Sequence, residues 1–382
     1  MLFDFLVPAR VLFGPGSVYR LGEEVRRWGS KVLLVTGRRA LRESGGLERI
    51  EVSLHTAGVE WVHWDRVDPE PELQTVEEAR AVAREVSPAV VVGAGGGSVL
   101  DVAKAAAGLY YEEGAVREYL GGREITRPGL PWIGVATTAG SGAEVTMNAV
   151  LRDAEAGRKG SLRHPGWMAA TAIVDPGLTF SMPKDVTAQS GMDALTHALE
   201  AYTSRWCYPL TEALAFEGFV LIARHLYTAY RRGRDREARE KVALGSLMAG
   251  MALNNARAGA VHGLAHAVGA RYGLPHGLVC GVLLPYVMEF NRPLVEEKYA
   301  RIAYTLGLVP LGEPTEEAAR RTVAFVARLR EKLGMPDKLG LCGLKRVDIQ
   351  DLVEAALPTA STQANPRKVT KEDLARILEA NL

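Results

Sequence analysis

Imidazole is scarce in this chain, with 8 histidines among 382 residues, yet His262, His266 and His276 share one run of small and apolar residues, 254–290. His262 and His266 stand four apart in a stretch of helical character, so their side chains leave one face of one helix. The turn Tyr272-Gly273-Leu274-Pro275 can fold His276 back toward that face. Upstream, Asp193 and His197 repeat the i, i+4 spacing and put one oxygen and one nitrogen donor on a second helix face. If the two helices meet, Asp193, His197, His262 and His276 surround a divalent metal with three nitrogens and one oxygen. A position is then left open for a substrate, as catalytic metal centres require. A lone His-x3-His pair on an apolar helix is more often two satisfied core histidines; two such pairs in one half of the chain favour a site.

The elements that must carry these donors divide the chain. Its length exceeds what one hydrophobic core serves, so two domains are expected, 1–180 and 181–382. In the first, the apolar runs 11–14, 31–37, 60–64, 89–93 and 132–136 alternate with helical segments such as 73–86. Continuous Val/Leu/Ile runs of this kind predict an α/β domain with a mainly parallel, Rossmann-like sheet covered on both faces, binding ligands at the carboxyl ends of its strands. From about residue 180 the pattern is helical: 210–232, 237–253, the His262 stretch, 278–290, 315–333, 349–356 and 371–380. The last opens on a capping-box-like Thr370-x-x-Asp373. An all-α C-terminal domain is the expectation.

Two strand ends are rich in backbone donors. The run 89–93 leads into Ala94-Gly95-Gly96-Gly97-Ser98, where glycines let backbone amides approach a ligand closely. Ser98, with Asp101 three residues on, reads as the N-cap of a helix that offers its positive end to a phosphate. The spacing is neither the G-x-G-x-x-G fingerprint nor a P-loop, so a related but distinct phosphate site is indicated. The run 132–136 ends similarly, in Thr137-Thr138-Ala139-Gly140-Ser141-Gly142, and would form the other side of a nucleotide cleft.

Composition narrows the partners. Hydrophobic residues at 47% and charged residues at 24% are ordinary for a globular protein, and a formal net charge of +1 gives no electrostatic reason to expect nucleic acid or a membrane. A small neutral or weakly charged ligand fits better. Cys207, Cys280 and Cys342 are odd in number and widely spaced, which argues against a disulfide framework and for a reducing compartment. Cys280, four residues after His276, could touch the metal site, but a buried inert thiol is the expectation. With no signal-like N-terminus and no segment approaching membrane-spanning length, a cytoplasmic protein is expected.

The motifs Gly95-Gly96-Gly97-Ser98-x-x-Asp101-x-x-Lys104, Thr137-Thr138-Ala139-Gly140-Ser141-Gly142-Ala143-Glu144, Asp193-x3-His197-x2-Glu200, His262-x3-His266-x9-His276 and Asn365-Pro366-Arg367 follow one another in order. Together they resemble the iron-containing, or group III, alcohol dehydrogenases over essentially the whole chain. The resemblance implies an N-terminal domain for a nicotinamide cofactor, a helical domain for a divalent metal, and catalysis between them. It is the architecture shared with dehydroquinate synthase. It places the family's metal ligands on Asp193, His197, His262 and His276. It gives His266 the place of a non-ligand histidine close to the reacting carbon, a proton relay or orienting group. It puts cofactor contacts on Gly96, Gly97, Ser98, Thr137, Thr138 and Lys159; Gly95, Asp101 and Ser141, at the same two strand ends, are expected to bind the cofactor with them. A small alcohol or aldehyde is the implied substrate, and a homodimer or higher homo-oligomer the expected assembly.

Three departures from the family pattern matter. The strand 31–37 ends Thr36-Gly37-Arg38-Arg39, where many relatives that use NAD carry an Asp; no acid guards a ribose 2′ position, and two arginines can accept a 2′-phosphate. NADP is therefore expected over NAD. Asp68-Pro69-Glu70-Pro71 stands where the family often has Asn-Pro, and Cys280 where it often has Asn. Ala258 replaces a bulkier side chain of some relatives, which suggests room for a larger alcohol. The donor set suits Fe2+, favoured by the family, with Zn2+ as the alternative. Glycerol-type dehydrogenases, metal-free maleylacetate reductases, dehydroquinate synthase and a non-catalytic nucleotide- or metal-binding protein are the competing readings.

Overall fold

In this computed structural model residues 2–382 are described, with every side chain among them except that of Arg158. The chain forms two compact units, residues 5–181 and 182–382, the latter joined by residues 2–4.

The first unit alternates strands and helices: β1 (Val11–Phe13), α1 (Leu21–Arg26), β2 (Lys31–Gly37), α2 (Ala40–Glu43), α3 (Gly46–Thr56), β3 (Glu60–Val67), α4 (Leu73–Val86), β4 (Val90–Gly95), α5 (Gly97–Gly108), α6 (Val116–Leu120), β5 (Trp132–Ala136), β6 (Asn148–Asp153), β7 (Arg158–Arg163) and β8 (Thr171–Val174). Six strands make one sheet in the order β1-β8-β5-β4-β2-β3, and every neighbouring pair is parallel. Strands β4, β5 and β8 are buried along their whole length and β2 along most of it, which is why they read as unbroken apolar runs. Leu21, Val25, Ile50 and Leu54 from α1 and α3 pack on Val32, Leu34, Val90, Val92, Ile133 and Ile173 of the sheet. Strand order reverses between β2, which leads outward to β3, and β4, which leads the other way to β5. Their carboxyl ends border the crevice where open α/β sheets bind ligands.

The antiparallel hairpin β6–β7 and the short β8 lie outside the sequence expectation. Strand β7 is polar, Arg-Lys-Gly-Ser-Leu-Arg, and β8 has four residues, so neither carries a strong apolar period.

The second unit is helical: α7 (Lys184–Thr203), α8 (Pro209–Arg231), α9 (Arg236–Ala256), α10 (Ala260–Tyr272), α11 (His276–Leu306), α12 (Thr315–Lys332), α13 (Ile349–Ala356), α14 (Ala360–Ala364) and α15 (Lys371–Glu379). Helix α7 packs against α8, α9 and α11, and α10 against α11, α13 and α14. The capping box at Thr370 and Asp373 forms as expected. Helix α11 corrects two expectations. It runs on past residue 290, through Pro293 to a break at Val295 (φ −126°, ψ 25°), because the chain kinks there instead of ending. It is also long and apolar enough, by length and composition alone, to cross a membrane; here it is mostly buried, as a core helix is.

Candidate metal centre and nucleotide loop

Helix α7 is buried from Gly191 to Thr203, yet it carries Asp193, His197 and Glu200 on one side. Buried polar groups of this kind need partners, and α10 and α11 supply them. Asp193 Oδ1 faces His262 Nε2 at 3.5 Å, His276 Nε2 at 3.6 Å and His197 Nε2 at 3.8 Å. The His197 and His262 rings stack at 4.5 Å. Burial works to raise the Asp193 carboxyl, but the imidazoles of His197, His276 and His262 outweigh it and hold it well below the usual carboxylate range.

Asp193 Oδ1 is buried with no hydrogen-bond partner among the described residues. Ligands about 2.1 Å from a shared tetrahedral ion stand about 3.4 Å apart, close to the separations observed. The cluster therefore fits a divalent metal, with donors of the nitrogen and oxygen type that both iron and zinc accept.

Glu200 is the residue whose role the spacing did not reveal. Its Oε2 lies 2.6 Å from His262 Nδ1 and its Oε1 accepts the Val261 amide at 2.7 Å. With the proton on Nδ1, His262 presents the lone pair of Nε2 to the cluster. Gly259 makes this approach possible, since a Cβ there would stand 2.7 Å from Glu200 Oε1. Asn365 accepts the Ala260 amide at 3.3 Å and pairs reciprocally with Asn291 of α11, which fixes the start of α10. The Asn365-Pro366-Arg367 motif gave a signal for this contact; Glu200 was signalled only by standing three residues after His197.

His266 leaves the same helix as His262, its ring 6.3 Å from that of His262 and stacked on His276 at 5.1 Å. Cys280 is buried with Sγ 3.5 Å from His276 Nε2 and 3.9 Å from His262 Nε2. It lies among the polar donors and not in an apolar core, and burial pushes its thiol up to about 12. Ala258 is buried just before α10.

The first unit holds the glycine loop. Strands β4 and β5 are neighbours, Gly95 opposite Ala136, and the Thr137 amide donates to Gly95 O at 3.0 Å. Thr138 lies 3.4 Å and Ser141 2.7 Å from where a Cβ on Gly96 or Gly97 would stand. Gly95, Gly96, Gly97, Ser98, Thr137, Thr138 and Ser141 thus meet at one edge of the sheet, beside the start of α5, where Val99 and Leu100 donate to Gly96 O and the amides before them have no acceptor within the helix. The cap differs from expectation: Gly96, in extended conformation (φ −77°, ψ −177°), precedes α5, and no side chain caps it. Ser98 sits inside the first turn and accepts the Glu70 amide at 3.3 Å. Asp101 turns away from the loop, because its buried carboxylate takes the Val150 amide at 3.0 Å and faces Lys104 at 3.5 Å. Lys104 is fully buried over the ring of Trp132 and donates to Asn148 O at 2.6 Å.

Gly37 ends β2 within reach of Val99 of α5, and Arg38 and Arg39 follow it, exposed. An acid does stand nearby, contrary to the reading of the strand end alone: Asp68, just past β3, binds Arg38 Nε at 2.8 Å, both side chains more than half exposed. The Lys159 side chain of β7, 5% exposed, is ion-paired with Glu70, whose backbone is left-handed (φ 58°).

Comparison with known proteins agrees along the whole chain. A family model described as iron-containing alcohol dehydrogenase matches residues 8–176, and one described as Fe-containing alcohol dehydrogenase family, C-terminal, matches 187–382. A 1,3-propanediol dehydrogenase of Klebsiella pneumoniae is 38% identical over 379 residues, 98% of each chain. An NAD-dependent methanol dehydrogenase of Bacillus methanolicus is 34% identical over 376 residues, 98% of this chain and 99% of that one. The crystal structure of a 1,3-propanediol oxidoreductase covers 100% of both chains with a TM-score of 0.96 at 38% identity.

Proposed function

The chain belongs to the iron-containing alcohol dehydrogenase family and is a metal-dependent alcohol dehydrogenase or aldehyde reductase; from that premise we propose that Asp193, His197, His262 and His276 hold its divalent ion. The observation that carries this is the buried, unpartnered Asp193 Oδ1 facing three imidazole nitrogens at 3.5–3.8 Å. When bound, the ion supplies a Lewis acid that polarises the alcohol or carbonyl oxygen, so that hydride exchange with a nicotinamide becomes easier. Fe2+ is the proposed ion, with Zn2+ the alternative for the same donors.

The chain's own residues do the rest. Glu200 keeps the His262 proton on Nδ1 and so holds Nε2 ready as a donor. His266, one turn beyond His262 and outside the quartet, orients the substrate or passes its proton. Gly95, Gly96 and Gly97 bring the amides of α5 to the cofactor diphosphate, and Ser98, Thr137, Thr138 and Ser141 add hydroxyl donors. Lys159 brings a positive charge to the same edge. Asp101 contributes indirectly, by anchoring Lys104 and β6 behind the loop.

For the cofactor we propose NADP(H) over NAD(H), although the methanol dehydrogenase relative is named for NAD. Gly37 has no carboxylate to repel a 2′-phosphate, and Arg38 and Arg39 follow it. The exposed Arg38–Asp68 pair contributes at most about 1 kcal/mol, so a phosphate carrying close to two charges can displace Asp68 from Arg38. Relatives named for propanediol and methanol support a small primary alcohol or its aldehyde as substrate. The free thiols support a reducing, cytoplasmic setting, and a homodimer or larger homo-oligomer is proposed. The test is kcat/KM with each cofactor: wild type should prefer NADP(H), and Arg38→Ala/Arg39→Ala should lose about tenfold or more with NADP(H) while changing little with NAD(H). Preference for NAD(H) in both proteins would remove the arginine reading.

A further inference from the structure

Cys280 stands one turn after His276 on α11, so the two side chains leave the same face. It is 0% exposed. Asp193, His262, His276 and Cys280 each offer one donor atom, and the four atoms lie within 4.8 Å of one another. On a four-coordinate ion, a nitrogen about 2.05 Å and a sulfur about 2.3 Å from the metal stand about 3.5 Å apart. The Cys280 Sγ separations of 3.5 Å from His276 Nε2 and 3.9 Å from His262 Nε2 are of that size. The unpartnered Asp193 Oδ1, its side chain 8% exposed, belongs to the same group of four.

Resting on the metal reading above, we propose that Cys280 is an additional sulfur donor to the ion held by Asp193, His197, His262 and His276. His197 borders the centre through Asp193 at 3.8 Å, and Cys280 borders it through His276 and His262. The S–H proton passes to solvent as the sulfur–metal bond forms, and nothing is oxidised or reduced. A thiolate is a soft ligand, so the centre gives zinc and cobalt an advantage over ferrous iron that three imidazoles and a carboxylate alone would not give. It also sets a second negative charge beside Asp193, which makes the bound ion a weaker Lewis acid.

The test uses the full-length protein stripped of metal and titrated with Co2+ under absorption spectroscopy. The expected result is one cobalt per chain with a sulfur-to-cobalt charge-transfer band in the near ultraviolet. The band disappears in Cys280→Ser, which still binds one cobalt, and persists in Cys207→Ser/Cys342→Ser. In competition with Fe2+, the zinc preference of Cys280→Ser falls by at least about tenfold, the smaller loss typical of removing even an outer partner. Stoichiometric cobalt without the band, or a band that survives Cys280→Ser, overturns the sulfur donor and leaves the His/Asp centre standing. Failure of the wild-type protein to bind cobalt overturns both. Should Cys280→Ser not fold, the wild-type band together with its persistence in the double variant still assigns the sulfur, since the chain has 3 cysteines.

Discussion

Two buried carboxylates on one helix do different work. Asp193 turns an unpartnered oxygen toward three nitrogens, whereas Glu200 spends both oxygens on the amide of Val261 and the imidazole of His262. In Glu200→Gln one of those donors meets an amide NH2 instead of an oxygen, so His262 loses either its tautomer or its orientation. Metal affinity should fall by about 10- to 100-fold, read by competition with a chelator, with little change in helical content. A third carboxylate offers a test of pH. Burial raises Glu144, beside the threonine-rich strand end, from 4.5 to about 7. Between those values the unfolded chain gives up a proton that the folded chain keeps, so this group's contribution to stability is lost as pH rises from about 4.5 to 7. The loss is about 3 kcal/mol in all and levels off above that window. Glu144→Gln should remove that slope, so its stability relative to wild type climbs through the window in denaturant titrations; an unchanging gap would show that Glu144 is not held neutral. At this scale the donors were legible because i, i+4 spacing survives in sequence. The Glu200–His262 bond, 62 positions apart, and the Arg38–Asp68 pair, 30 apart, were not, since folding alone brings such partners together.

At the scale of elements, the glycines of α5 separate binding from packing. A Cβ on Gly96, the N-cap, would stand 3.4 Å from the Thr138 side chain, an ordinary contact, whereas one on Gly108 would lie 2.1 Å from the buried ring of Trp167. Gly96→Ala should weaken nucleotide binding about tenfold at nearly unchanged stability, while Gly108→Ala should cost about 1–3 kcal/mol of stability. Fluorescence titration and chemical unfolding would distinguish them, and the reverse pattern would mean that the loop does not approach the nucleotide. Helix α4 was legible to its ends, Leu73–Val86, because its apolar period is regular and nothing interrupts it. Helix α11 was cut short at residue 290 because prolines usually end helices, yet Pro293 here only kinks one. The cap of α5 was misplaced onto Ser98: a hydroxyl is the commoner signal, and Gly96 caps by conformation alone. The polar hairpin β6–β7 left almost no periodic trace.

For the molecule as a whole, each unit presents half of a dehydrogenase. One is a parallel sheet whose adjoining strand ends gather glycines and hydroxyls; the other is a helical body whose buried helices carry charged and imidazole groups at real desolvation cost. The fold class was legible because buried parallel strands and amphipathic helices leave different periods in a sequence. The near-neutral charge agrees with a small-molecule substrate and carries no information about which alcohol is used. The donors on α7, α10 and α11 are proposed to hold an ion without which hydride transfer fails. The decisive measurement strips the protein of metal under anaerobic conditions and follows nicotinamide absorbance with a short primary alcohol or its aldehyde, before and after adding Fe2+ or Zn2+. Activity should disappear on stripping, return with one ion per chain, and not return in Asp193→Ala or His262→Ala. Full activity in the metal-free protein would contradict that role for the ion.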